Sequence, residues 1–98
     1  MATKRHMKGW DTRVEEAPRE PIVIPMEGVD VIVHPMLGSD VQDLMKAQRE
    51  GDTEAQVRAI FREHADHVLK VFADAPFAAG QGLMEDILVE FGVIPGNR

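Results

Sequence analysis

The tightest constraint on this chain lies in residues 83–98, where Leu83, Met84, Ile87, Leu88 and Phe91 recur on one face of a 3.6-residue repeat. That spacing predicts an amphipathic helix. Gly92 can take the left-handed conformation that closes a helix, and Val93 is placed to fold back as its apolar cap partner. Pro95 then forbids continuation. The most apolar helix of the chain thus stands at its edge. Two readings of that placement stay open: a surface that meets another protein, or one wall of a small bundle.

With 98 residues there is room for one domain. A chain this short buries only about 60–65% of the surface it exposes when unfolded, so a partner or a second copy would add to its stability. There is no cysteine, which excludes a disulfide framework, a zinc-thiolate site and a cysteine nucleophile. The apolar runs are too short to span a bilayer, and the N-terminus lacks the apolar core of a signal peptide. A cytoplasmic protein with no membrane partner is expected.

Charge is distributed unevenly. Lys4, Arg5, Lys8 and Arg13 against Asp11 give residues 1–13 a net +3, which leaves −9 on the remainder of a chain whose total is −6. An acidic body does not match a phosphate backbone, which nucleic-acid binders neutralise with clustered Lys and Arg. No nucleic-acid partner is expected.

Residues 1–20 show no sustained periodicity and are predicted to form a disordered basic arm, with residues 21–98 as the single folded domain. Trp10 is the one aromatic residue of that arm, placed either to fold back onto the domain or to anchor a partner. Pro21-Ile22-Val23-Ile24-Pro25 and Asp30-Val31-Ile32-Val33 flank a Gly28-containing turn and predict a β-hairpin, its prolines marking exposed edges. Such a hairpin must pack on the helices or add to another sheet. From Gly38 the pattern turns helical. Ser39-Asp40-Val41-Gln42 has the spacing of a capping box, with Ser39 as cap, and Val41, Leu44, Met45 and Gln48 define a face. Gly51 ends that helix. Asp52 or Thr53 caps the next, in which Val57, Ile60, Phe61, His64, Val68, Leu69 and Phe72 recur at helical spacing, with a bend or break near residues 64–66. Ala75-Pro76 stops it, and residues 77–82 are predicted to be a small-residue connection. The architecture expected is mainly α: a small helical bundle with an N-terminal β-hairpin.

Glu63-His64-Ala65-Asp66-His67 is the one cluster of metal-ligating residue types. Its two histidines stand three apart, whereas the helical zinc signature places them four apart with a glutamate beside the first. A polar face with a half-buried His64 is the expectation, with no metal. His34, before a proline at a strand end, is expected to be a solvated edge residue. No serine has a matching histidine and acid, and Gly80-Gln81-Gly82 lacks the lysine of a phosphate loop. Neither catalysis nor a cofactor is expected.

Taken in order, these pieces resemble the tail assembly chaperones of long-tailed bacteriophages, notably those infecting actinobacteria. The resemblance rests on the short basic leader, the proline-flanked hairpin, the helix ending at Glu50-Gly51-Asp52, the Phe72-Ala73-Asp74-Ala75-Pro76 stop and the Met84-to-Gly92 helix, and covers about residues 20–97. It implies a non-enzymatic protein of the infected host cytoplasm that binds the tape measure protein and helps tail tube subunits polymerise around it. It also implies a longer product made by ribosomal frameshifting, for which codons of Pro95-Gly96-Asn97 reading G-GGA-AAY would supply a slippery heptamer. The alternatives are a virion component of the tail or head-tail connector, or a small regulatory binder. For the partner contacts the candidates are Phe77, Met84, Leu88 and Phe91 for a client helix, and the Val31–Val33 edge for strand addition to the tube subunit. The same residues also suit a domain core. A homo-oligomer is compatible with either use.

Overall fold

Apolar β-branched residues on either side of a turn that only small or polar residues enter cheaply give the first feature of the fold. The computed structural model, which describes residues 4–96, pairs strand β1 (Ile22–Met26) with β2 (Val29–Val33) in an antiparallel hairpin. Glu27 and Gly28 both have positive φ, 48° and 83°, as a two-residue turn matched to the strand twist requires. Met26 and Val29 close the hairpin, so alternation of the ladder puts Pro25 at a position whose N–H would point away from β2. Proline is tolerated there for that reason. Ile22, Ile24 and Met26 share the inner face with Val31 and Val33, the last two without any exposed surface.

Five α-helical segments are present among the described residues: α1 (Trp10–Glu16), α2 (Gly38–Glu50), α3 (Thr53–Phe61), α4 (Ala65–Ala73) and α5 (Phe77–Glu90), with a 3-10 turn at Arg62–His64 between α3 and α4. Helix α2 starts two residues earlier than its sequence pattern predicts. Ser39 lies in the first turn and caps nothing; instead the Asp40 carboxylate reaches back 2.8 Å to the Leu37 N–H. Its buried face also turns, with Leu44 and Ala47 inside and Met45 and Gln48 exposed.

Gly51, at φ 66°, ends α2 with the Asp52 N–H on the Ala47 carbonyl (2.9 Å) and the Gly51 N–H on that of Gln48 (3.2 Å). The Asp52 side chain then accepts from the Ala55 N–H at 3.0 Å and starts α3. Asp52→Ala removes that cap and is expected to cost about 1 kcal/mol, read as a lower urea midpoint with an unchanged slope. The end of α5 closes in the same manner. Gly92 has φ 74°, its N–H meets Val89, and the Val93 N–H meets the Leu88 carbonyl at 2.8 Å.

The predicted break in the long helical run occurs at Arg62, two residues ahead of its expected place. Arg62 has φ 50°, a conformation that L side chains adopt at a cost of order 1–3 kcal/mol. Its guanidinium donates to the Pro35 carbonyl at 3.3 Å and pairs with Asp40, the same carboxylate that holds Leu37. The loop between β2 and α2 is thereby fastened to the bend between α3 and α4. The hairpin is fastened separately, by His67 Nε2 donating to the Met26 carbonyl at 2.8 Å.

The core fills the space enclosed by these elements: Met26, Val31 and Val33 from the hairpin, Leu44 from α2, Val57, Ile60 and Phe61 from α3, Ala65 and Val68 from α4, and Met84, Ile87 and Leu88 from α5. Residues 77–82, expected as an irregular connection, are the first turns of α5. Gly80 makes this possible. A Cβ there would sit 3.1 Å from the Phe72 ring, so the absence of a side chain lets α5 close onto α4.

The basic arm departs from its expected lack of structure, because α1 is helical, yet none of its residues is buried. The molecule measures 63 Å along its longest axis against 28 and 27 Å along the others, with a radius of gyration of 16.3 Å. A compact chain of this length would have about 13 Å. Residues 1–3 of the arm and Asn97 of the frameshift heptamer lie outside the described residues. Among those described, no helix is long and apolar enough to cross a membrane.

Candidate functional site

The feature with the clearest binding chemistry is an apolar groove of about 230 Å³ between α3, α4 and α5. Its origin is a mismatch of widths. Helix α4 buries Ala65 and Val68 in the core, but its apolar stripe continues through Leu69 and Phe72, which the body leaves half-covered. Gly80 supplies no side chain to cover them. Leu69, Phe72 and Met84 therefore form a floor, Val57 closes one end, and Ala73, Pro76 and Phe77 make a lip. Thr53 and Gln81 alone among its lining residues are polar. The floor is held in place from below, where Phe61, fully buried, meets Phe72 edge to face with ring centroids 6.1 Å apart.

Phe77 stands at the lip 73% exposed. Pro76 fixes it there by preceding the first turn of α5 in an extended conformation (ψ 137°), so the ring projects beside the groove rather than into the core. A large exposed aromatic beside an apolar concavity is the arrangement that anchors protein partners.

The six predicted contact residues separate sharply. Phe77 is exposed, and Met84 is 6% exposed and contributes to the groove floor. Leu88, also 6% exposed, is a core residue one turn further along α5 on the same face as Met84, directed toward Leu44 of α2 and Ile60 of α3, and Phe91 is half-buried at the end of that helix. Val31 and Val33 have no exposed surface, which removes their side chains from any role in surface contact. The reason is the register. The inner face of the hairpin is the face that α3 and the 3-10 turn cover, and a strand buries every second side chain. The open backbone groups of β2 belong to the intervening Asp30 and Ile32.

Leu69, Phe72, Ala73 and Gly80 were not legible as site residues from their spacing, since a stripe of this period reads as core. The available signal was its breadth: Val68, Leu69, Val71 and Phe72 span more of α4 than one neighbouring helix covers.

Other concavities have different chemistry. A larger one, about 390 Å³, lies between α2 and α3, but its walls carry Asp40, Asp43, Lys46, Glu50, Arg58 and Arg62. Arg62 is committed to Asp40 there, and Arg58 to Glu54 at 3.1 Å and Asp66 at 3.0 Å. Those two carboxylates, Glu54 foremost, raise the Arg58 pKa still further. The residues of the His-rich stretch are likewise dispersed. Glu63 pairs with His34 at 2.7 Å, Asp66 with Arg58, and His67 with the Met26 carbonyl. No group of three or more candidate ligands comes together among the described residues. His34 is thus hydrogen-bonded to Glu63 rather than free at a strand end.

The hydrogen bond from His34 holds the Glu63 carboxyl below its ordinary range, assisted by a backbone N–H. A carboxyl lowered in the folded state contributes stability above the unfolded glutamate pKa and loses it as pH falls through the folded value. At so exposed a pair the contribution is small.

Compared with protein-family models, with curated proteins and with solved structures, the chain has no match in any of the three.

Proposed function

We propose that this protein is a non-enzymatic phage tail assembly chaperone that holds an amphipathic helix of the tape measure protein in the groove beside Phe77 and assists polymerisation of the tail tube. The observation that carries the binding part of this reading is the groove itself, an apolar concavity with an exposed aromatic lip on a body rich in acid. Its volume, about 230 Å³, falls below the roughly 300–1,000 Å³ of sites that enclose a small molecule, and suits a few apolar side chains of a helix instead. The phage assignment comes from the layout of the sequence.

A tape measure protein is a long, largely helical chain whose apolar stripes need cover before the tube encloses them. A groove supplies the cover, and the net charge of −6 keeps the loaded complex dispersed. Engagement of the tube subunit by the hairpin uses backbone groups at Asp30 and Ile32, so it is independent of the burial of Val31 and Val33.

Co-expression with the tape measure protein is expected to raise the soluble fraction of that protein and to leave the two co-purifying. An unchanged soluble fraction with no co-purification would overturn the proposal.

A further inference from the structure

Helices α3 and α4 fold back on each other, so that Thr53 and Val57 of α3 line one groove with Leu69, Phe72 and Ala73 of α4. A continuous helix over the same residues would hold Thr53 and Ala73 about 30 Å apart, at 1.5 Å per residue. The connection that reverses the chain is only Arg62–His64. Turns this short between helices commonly use glycine, yet Phe61-Arg62-Glu63-His64-Ala65 contains neither Gly nor Pro. One residue carries the reversal. Arg62 stands at φ 50° and ψ −116°, a combination that suits glycine, whereas Phe61, His64 and Ala65 around it have φ of −99°, −94° and −59°. Bringing Arg62 to helical angles, with smaller adjustments at Phe61 and His64, would join α3 and α4 into one helix over residues 53–73.

The closed turn is held by its own side chains. Arg62 donates to the Pro35 carbonyl and pairs with Asp40, and Glu63 is hydrogen-bonded to His34. The remaining contacts between the two sides of the turn do not require both sides to belong to one chain. Phe61 against Phe72, Arg58 against Asp66, His67 on the Met26 carbonyl, and Met84 and Leu88 beside Leu44 and Ile60 each join a residue before the turn to one after it. We infer that two copies of this chain exchange α4 and α5. In the exchanged dimer α3 and α4 form one helix, and the C-terminal helices of each copy pack on the hairpin, α2 and α3 of the other. The exchange re-forms those contacts between copies, relieves the conformation of Arg62 and adds backbone hydrogen bonds across the former turn. It gives up the Arg62 and Glu63 contacts and the freedom of two separate molecules. A short hinge under strain favours this kind of exchange. The groove then becomes a shared site, with Thr53 and Val57 from one copy and Leu69, Phe72 and Phe77 from the other.

The experiment refolds the full chain from urea at low and at high protein concentration, with no client present, and reads its mass by sedimentation. The chain has no cysteine, so Thr53→Cys and Ala73→Cys, both at exposed positions, place two spin labels at the ends of the α3–α4 pair. A trace of doubly labelled chain refolded with unlabelled chain in excess reads the distance within one copy. The expected result is a monomer with a short separation at low concentration, and a dimer with a separation of about 30 Å at high concentration. Arg62→Ala and Arg62→Gly lose the same side-chain contacts, but glycine alone accepts the closed φ and disfavours a continuous helix. Arg62→Ala should therefore dimerise at least about tenfold more tightly than Arg62→Gly. A wild-type chain that stays monomeric after refolding at high concentration would overturn the inference. So would a dimer that keeps the short separation, which is association without exchange, or equal dimerisation by the two Arg62 variants. None of these outcomes depends on whether the tape measure protein is a partner, so the two proposals fail separately.

Discussion

Phe61→Ala is expected to lower the stability of the fold by about 3–5 kcal/mol, the range for deleting a fully buried aromatic ring. Phe61 has no exposed surface and stands where α3, α4 and the hairpin converge. Its removal leaves a cavity that rigid neighbours on three sides cannot fill, and withdraws the edge-to-face support of Phe72. For a domain of this size the total stability is on the order of 5–15 kcal/mol, so the variant should unfold at much lower urea or fail to fold cooperatively. Phe77→Ala is the internal control. The ring is 73% exposed, and its loss should change stability by no more than about 0.5 kcal/mol. Similar losses for the two phenylalanines would contradict the assignment of one to the core and the other to the surface.

Arg62→Ala is expected to cost about 1–2 kcal/mol, a charged hydrogen-bond value reduced for partial exposure. The substitution strands the Asp40 carboxylate, whose side chain is only 20% exposed, and frees the Pro35 carbonyl that the guanidinium holds. Arg62→Gly loses the same contacts yet should be less damaging than alanine, because glycine accepts φ 50° without steric cost. That order reverses the helix propensities of the two residues, which makes it diagnostic of the bend. Urea titration of both variants with Asp40→Ala, and of the double variant, should show coupling of about 0.5 kcal/mol or more between Asp40 and Arg62. Alanine more stable than glycine at this position would contradict a positive φ at Arg62.

The hairpin, both glycine helix ends and the Asp52 cap follow from local chemistry, and each was legible from its residues. Gly28, Gly51 and Gly92 are needed where φ is positive, and no distant contact decides their conformation. Features set by tertiary contacts were less legible. Ser39 satisfies every local criterion for a cap, but Asp40 is held by Arg62, 22 residues later, and the helix start moves with it. Residues 77–82 look like a linker because Gly80 and Gly82 weaken the helical pattern. The closeness of the Phe72 ring explains Gly80, and a contact with another helix leaves no trace in local spacing. The site was legible in the same uneven way. Phe77 and Met84 belong to the groove, whereas Leu88, Val31 and Val33 went inside because periodicity identifies an apolar face without saying what covers it.

The groove as a seat for a client helix is tested most directly by co-purifying tagged chain with the tape measure protein, wild type against Phe77→Asp. Wild type should retain the tape measure protein in fixed proportion. Phe77→Asp, folded to the same degree by circular dichroism, should retain it at least about tenfold less well, as removal of an aromatic anchor does. Equal retention by the two would place the client elsewhere on the molecule and contradict the role assigned to the groove.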